Sequence, residues 1–184
     1  MSEEPESGRL HIVLDHIPDE NSGPTLRLDI EIWSYNSPIL MVRCKTTNLS
    51  SALIGDLKLY NIMDFDIGGP TSYKDDVGKY DSEMATLLAW DDTPLCVAIT
   101  SKPIPDAWEI ESPIKLKIDV DDRDLTGQVT TRPADIATAL QWNLGDCNPK
   151  DTKCVDIVMS GAHHLDEAKA LVYKAWEQFD KRIR

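Results

Sequence analysis

Leu26-Arg27-Leu28-Asp29-Ile30-Glu31-Ile32-Trp33 is the stretch that decides the fold. Leu26, Leu28, Ile30 and Ile32 fall on one face, and Arg27, Asp29 and Glu31 on the other, with Trp33 continuing the polar face. A strict period of two marks a half-buried antiparallel strand, apolar side inward and polar side to water. The same pattern spreads outward along the chain. Leu10, Ile12 and Leu14 alternate in Leu10–Asp15, and Leu40, Val42 and Cys44 alternate with Arg43 and Lys45. Ile114, Leu116, Ile118 and Val120 alternate with Lys115, Lys117 and Asp119.

Further strands are expected over 56–67, 83–91, 95–101, 138–144 and 153–159. Turn-rich separators lie between them: Pro18 to Pro24, Ser34 to Pro38, Gly68 to Pro70, Asp91 to Pro94, Pro103 to Asp106 and Asn148 to Asp151. Many short strands at this spacing predict an all-β, antiparallel β-sandwich rather than alternating βαβ units. The period changes once. Leu165, Ala168, Leu171, Val172, Ala175, Trp176 and Phe179 recur at helical spacing, with Asp166 and Glu167 at one end and Lys181, Arg182 and Arg184 at the other. This predicts one C-terminal α-helix over 164–184, its apolar stripe docked on a sandwich face or open end, or on a partner chain. Residues 1–8 read as a disordered leader and 9–184 as a single sandwich domain that includes the helix.

The chain carries 32 acidic and 19 basic residues among 184, a formal charge of -13. That balance argues against nucleic acid and anionic membrane as partners, because both demand a basic surface. It favours cations or a basic protein instead. The polar, acidic start Met-Ser-Glu-Glu-Pro-Glu-Ser does not resemble a signal peptide, and no apolar run reaches the roughly 18 residues that span a bilayer. A cytoplasmic location is therefore expected. Cys44, Cys96, Cys147 and Cys154 are scattered without a C-x-x-C pair, so structural zinc has no support. Cys147 and Cys154 flank a turn and leave one disulfide open.

Five aspartates, Asp64, Asp66, Asp75, Asp76 and Asp81, surround the Gly68-Gly69-Pro70 turn and are the candidate metal ligands, with calcium the candidate cofactor. On an extended strand the Asp64 and Asp66 carboxylates stand roughly 7 Å apart. Calcium–oxygen distances are about 2.4 Å, so those two share an ion only if Asp75, Asp76 or Asp81 folds back towards them. A solvated acidic rim or a surface for a basic partner fits the same residues. A second cluster, Asp119, Asp121, Asp122 and Asp124, opens like an EF-hand loop, but Pro133 stands where the bidentate glutamate is needed.

No H-E-x-x-H, G-x-S-x-G, G-x-G-x-x-G or phosphate-loop motif is present among the 184 residues. His11 reads as exposed on its strand, and His163-His164 as the entry to the helix, where Ser160 or a histidine could cap. Asp64, Glu83, Asp106 and Glu109 are the carboxylates available for acid–base sugar chemistry. Among the five tryptophans, Trp142 alternates with Leu140 and Leu144 and reads as core, while Trp176 lies on the helix stripe. Trp33, on the polar face of its strand, and Trp108, in an expected loop, are the candidate carbohydrate platforms.

The order of Leu59-Tyr60-x-x-x-Asp64-Phe65-Asp66, Leu140-Gln141-Trp142-Asn143-Leu144-Gly145, the turn Asn148-Pro149-Lys150-Asp151, a strand over 153–159 and a helix opening Asp166-Glu167-Ala168 resembles a β-supersandwich. This is the domain type of galactose-mutarotase-like proteins and of the segment preceding the catalytic domain in glucoamylase-type glycoside hydrolases. The likeness covers most of residues 25–175. Mutarotase-type catalysis would imply a histidine acid and a glutamate base in the sandwich cleft, and no residue here matches either. The glucoamylase α/α-barrel has no counterpart in these residues. The resemblance thus implies the scaffold and not the enzyme. The expected function is a non-catalytic accessory or interaction module, with carbohydrate or a basic protein as partner. A small epimerase- or lyase-type enzyme and a calcium-stabilised structural domain are the alternatives.

Overall fold

The computed structural model describes residues 6–69, 72, 74–92, 94–116 and 124–182. In chain order the elements are β1 (Glu6–His16), β2 (Leu26–Tyr35), β3 (Ile39–Asn48), β4 (Ile54–Asp64), β5 (Val77–Asp81), β6 (Thr86–Trp90), β7 (Cys96–Lys102), β8 (Ala107–Glu111), β9 (Ala137–Cys147), β10 (Thr152–Ala162) and α1 (Leu165–Arg182). A seven-stranded sheet runs β1-β2-β3-β10-β7-β6-β5, and a three-stranded sheet runs β4-β9-β8. All strand pairs are antiparallel. The expected β-sandwich with one C-terminal helix is what the chain forms.

The deciding stretch pairs on both sides, Arg27 opposite Asp15 on β1 and Asp29 opposite Lys45 on β3. Its polar residues are held by neighbours on the same face. Arg27 grips Asp15 through two hydrogen bonds of 2.8 and 2.9 Å, His11 meets Asp29 at 3.1 Å, and Lys45 meets Glu31 at 3.1 Å. One strand further, Arg43 donates twice to Asp156 at 2.7 Å. Opposite charges directly across antiparallel strands stabilise the pairing and set its register.

Two cores lie on the two faces of the large sheet. Between the sheets, Val42, Leu87, Ile99, Ile110, Leu140, Trp142, Val155 and Ile157 pack together. Trp142 is anchored there by its indole N–H, which donates to Ser101 Oγ at 3.2 Å and Pro103 O at 3.1 Å. The fit is tight at Gly78, where a Cβ would stand 2.7 Å from Ile110 Cγ2. On the outer face, Trp33, Met41, Leu88, Ala98 and Val158 meet Ala168, Val172, Ala175 and Phe179 of α1. Trp33 and Phe179 make an edge-on contact with centroids 5.8 Å apart. Ser160 Oγ donates to Ala168 O at 2.8 Å and Trp176 Nε1 to Thr100 Oγ1 at 2.8 Å, fixing the helix along the sheet.

Several expectations change in detail. The helix stripe docks on a sandwich face. β5 and β8 fall where loops were expected, so Trp108 belongs to a strand. Strand formation over 114–120 is not seen in its described part: Ser112 O accepts from Lys115 N and Leu116 N, which is a turn. Residues 117–120, with Asp119, and Asp121 and Asp122 of the second acidic cluster lie outside the described residues. β1 begins at Glu6, within the expected leader. All four cysteines are free, because Cys147 is buried beneath the β9–β10 turn while Cys154 is exposed on the outer face.

Truncating Phe179 to Ala removes the ring that closes the outer core. Urea unfolding is expected to show a loss of about 3–5 kcal/mol. A loss below about 1 kcal/mol would mean that the sheet face is stable without α1.

Candidate functional site

Strand ends converge at one edge of the sandwich. β4 leaves the small sheet at Asp64 and turns through Asp66, Ile67, Gly68 and Gly69. β6 ends at Trp90 and runs on into Asp91 and Asp92, and β10 passes into α1 through His163 and His164. Between them lies a cleft of about 550 Å³ whose lining includes Asp64, Phe65, Asp66, Leu95, His163 and Glu167. Its floor is apolar, from Phe65, Ile67, Val97 and Ala162, and its rim is polar. A second hollow shares Leu95, Cys96 and His163 and continues to Trp90, Asp91 and Asp166. His163 is held at the rim by its Nδ1–H, which donates to Pro94 O at 2.8 Å.

The five candidate aspartates part company here. Asp64 and Asp66 are exposed and line the cleft. Partial burial lifts the Asp64 carboxyl above the usual aspartate value, helped by the charges of Asp135 and Asp66. Asp75 turns instead towards Asp91 and Asp92, one carboxylate oxygen from each lying within 4.8 Å of the others. Asp76 is buried, 1% exposed. Burial first and the Asp91 charge second push it up to about 7, against the pull of an Ile67 N–H. Asp81 lies at the far end of β5 and takes no part. It accepts from Met84 N–H at 3.2 Å and pairs with Lys169 at 3.3 Å.

The end of the β5–β6 hairpin explains the regrouping. β5 pairs with β6 as far as Val77 opposite Trp90. Beyond that pair Asp76 bridges Ala134 instead, and the Asp75 carboxylate comes to Asp91 and Asp92. Ser72 Oγ donates to Asp91 Oδ2 at 3.0 Å and sits 3.3 Å from Asp75 Oδ1. Gly68, at φ +81°, closes the turn against this group: a Cβ there would stand 2.5 Å from Asp91 Oδ2. Sequence reasoning missed Asp91, Asp92 and His163 as members of the site. The Asp91-Asp92 pair in a turn was the available signal, and only strand pairing shows what it faces.

The other candidates are scattered. Trp33 was read as an exposed platform but is 3% exposed. α1 covers its face of the strand, so it offers nothing to a sugar ring. Trp108 is half-buried and stacked on Tyr80, centroids 3.8 Å apart, so one face of its indole is taken. Glu109 is buried and accepts from Thr126 N and Oγ1 at 3.1 and 3.0 Å. Asp106 caps the Asn143 N–H at 2.7 Å, and Glu83 is exposed in the β5–β6 turn. Asp64 lies opposite Ala137 of β9, while Asp106 sits beside Asn143, six residues along. At about 3.3 Å per residue that is roughly 20 Å, whereas paired glycosidic carboxylates stand about 5–9.5 Å apart.

No protein-family profile matches the sequence, and no curated protein does. Solved structures do. A bacterial glucoamylase complexed with acarbose superposes with a TM-score of 0.61 at 16% identity, over 92% of this chain and 26% of that one. A putative aldose 1-epimerase from Escherichia coli K12 follows at 0.52 and 8% identity, over 87% and 68%. The aldose epimerase homologue from C. elegans reaches 0.50 at 13% identity, over 89% and 68%. The fold is the β-supersandwich. This supersandwich spans about a quarter of the glucoamylase and about two thirds of each epimerase. Among the described residues, no helix is long and apolar enough to cross a membrane.

Asp81 gives a pH test of the rim that borders α1. Its carboxyl is held below the ordinary aspartate value of 3.8, first by the Met84 N–H and then by Lys169. A depressed folded value means that its stabilisation is complete above the unfolded value and is lost as pH falls through the folded one. Lys169→Met is expected to raise the Asp81 value in a carboxyl NMR titration without restoring it fully, because the Met84 N–H remains. An unchanged titration would show that the ion pair does not form in solution.

Proposed function

We propose that this supersandwich is a non-catalytic accessory module that engages carbohydrate through the cleft at the β4–β5 and β6–β7 loop ends. The observation that carries the reading is the cleft itself, with its apolar floor and a rim of Asp64, Asp66, His163 and Glu167. Ligand sites commonly occupy roughly 300–1,000 Å³ and combine apolar walls with a few directed polar groups. Carboxylates and an imidazole suit sugar hydroxyls, which both donate and accept, while Phe65 and Leu95 suit the C–H faces of the ring. The neighbouring solved folds are a glucoamylase and aldose epimerases, which makes carbohydrate the ligand class to test first. Fold likeness alone does not assign a function, so the weight rests on the cleft.

The non-catalytic half of the reading is supported by two features. α1 fills the outer face of the central strands, with Trp33 and Phe179 where an open polar cleft would have to be. Of the candidate acid–base carboxylates, Asp64 and Asp106 stand roughly 20 Å apart along β9, too far to act on one glycosidic bond.

Saturation-transfer NMR with neutral gluco-oligosaccharides is expected to show contact with the protein, at dissociation constants of about 10 µM to 1 mM. Asp66→Ala together with Leu95→Ala should weaken it by about tenfold or more, which corresponds to roughly 1.4 kcal/mol. Polarimetry should find the anomers of glucose equilibrating no faster than in buffer. Absence of contact at tens of millimolar sugar would remove the carbohydrate ligand, and accelerated anomer exchange would remove the non-catalytic assignment.

A further inference from the structure

We propose that two copies of this chain dimerise edge to edge through β1, in one antiparallel register centred on Ile12. β1 is an end strand of the seven-stranded sheet, and among the described residues no strand pairs with its outer edge. Along its eleven residues the N–H and C=O groups that point away from β2 are a template for a further strand. The inner face of β1 is apolar and uncovered. Leu10, Ile12 and Leu14 lie opposite Ile32, Ile30 and Leu28 of β2 and share their face. The three β2 side chains pack against the inner core, while Leu10 is 52% and Leu14 53% exposed. Edge strands that stay single are commonly blunted by charges pointing inward or by proline. The inward positions of β1 carry leucine and isoleucine instead.

Charge and register together select a second copy as the occupant. On the outer face Arg9 and Asp15 stand three residues to either side of Ile12. An antiparallel β1 of a second copy, centred on the same residue, brings each Arg9 opposite an Asp15. The same register sets Ile12 against Ile12 and each Leu10 against a Leu14, so the two inner faces join in one apolar band. Other registers lose this match. Centred on His11, Arg9 would meet Val13 and Leu14 would meet Gly8. Centred on Val13, Arg9 would meet Ile17 and Leu10 would meet His16. A centre between two residues would turn the apolar face of one copy towards the polar face of the other. Within one chain Arg9 donates to Glu31 at 3.3 Å and Asp15 accepts from Arg27 at 2.8 and 2.9 Å. A guanidinium carries five N–H donors and a carboxylate about four acceptor sites, so both can take a further partner across the edge.

The proposal is independent of sugar binding, because its readout is mass and β1 takes no part in the cleft. Each copy carries a formal charge of -13, so the measurement belongs at about 0.15 M salt, where repulsion beyond about 8 Å is screened. Sedimentation velocity of the full chain is expected to pass from the 20.6 kDa monomer to a dimer between about 1 and 500 µM. Leu14→Lys, at an exposed position, sets a charge on the apolar face of the edge. It should weaken the dimer by about tenfold or more and leave the melting temperature of dilute protein unchanged. Arg9→Asp and Asp15→Arg each place like charges opposite one another across the edge, so each alone should stay monomeric over the same range. Mixed in equal amounts they restore both ion pairs and should form a heterodimer. Leu14→Lys leaves the Asp15–Arg27 pair intact, so it decides even where Asp15→Arg loosens β1. A wild-type chain still monomeric at about 500 µM would overturn the proposal and leave the edge to a strand of a different protein. A dimer indifferent to Leu14→Lys would also overturn it, since the copies would then meet elsewhere. So would folded charge variants that stay apart when mixed, which would rule out this register.

Discussion

The central strands of the large sheet must be covered on both faces, and most of the structure depends on that constraint. β3, β10 and β7 carry buried side chains in both directions. Met41, Val158 and Ala98 point outward, and Val42, Ile157 and Ile99 point inward. The small sheet closes the inner face and α1 closes the outer one. Burying a large aromatic against such a face contributes on the order of 2–3 kcal/mol, and Trp33 and Phe179 meet there. The same outer face carries charged pairs, Arg27 with Asp15 at its flank and Arg43 with Asp156 beside the helix, where Arg43 lies over the Phe179 ring. One sheet face is thus core at its middle and solvent surface at its flank.

That arrangement also locates the site. With both faces of the centre occupied, the room left for a ligand lies at strand ends, where β4, β6 and β10 run out into loops. Loops held by a rigid scaffold are where binding chemistry usually sits. The cleft and the acidic group beside it share a wall, because Gly68 faces Asp91 on one side and borders the cleft on the other.

Much of the fold was legible from alternation. The period of two in Leu26–Trp33 correctly separates inward Leu28, Ile30 and Ile32 from outward Arg27, Asp29 and Glu31. The helix was legible from its stripe and its terminal charges, Asp166 and Glu167 against Lys181 and Arg182. β5 and β8 were not, since strands of five residues with Gly78 or a flanking proline carry too little pattern to stand out from loops. Trp33 shows the limit most clearly. Alternation placed it on the outer face, which is correct, but a face is polar or apolar according to what covers it, and α1 comes from more than a hundred residues away.

By itself the amino-acid sequence determined the strand and helix periods, the acidic balance and the scaffold they build, because these follow from local spacing and composition. Tertiary structure decided which aspartates meet. Asp64, Asp66, Asp75, Asp76 and Asp81 are neighbours in the chain, yet Asp75 meets Asp91 and Asp92 where the β5–β6 hairpin ends, Asp76 is buried against Ala134, and Asp81 pairs with Lys169. Strand pairing acts between segments distant in sequence, and a carboxylate's chemistry depends on the charges and donors it meets in space.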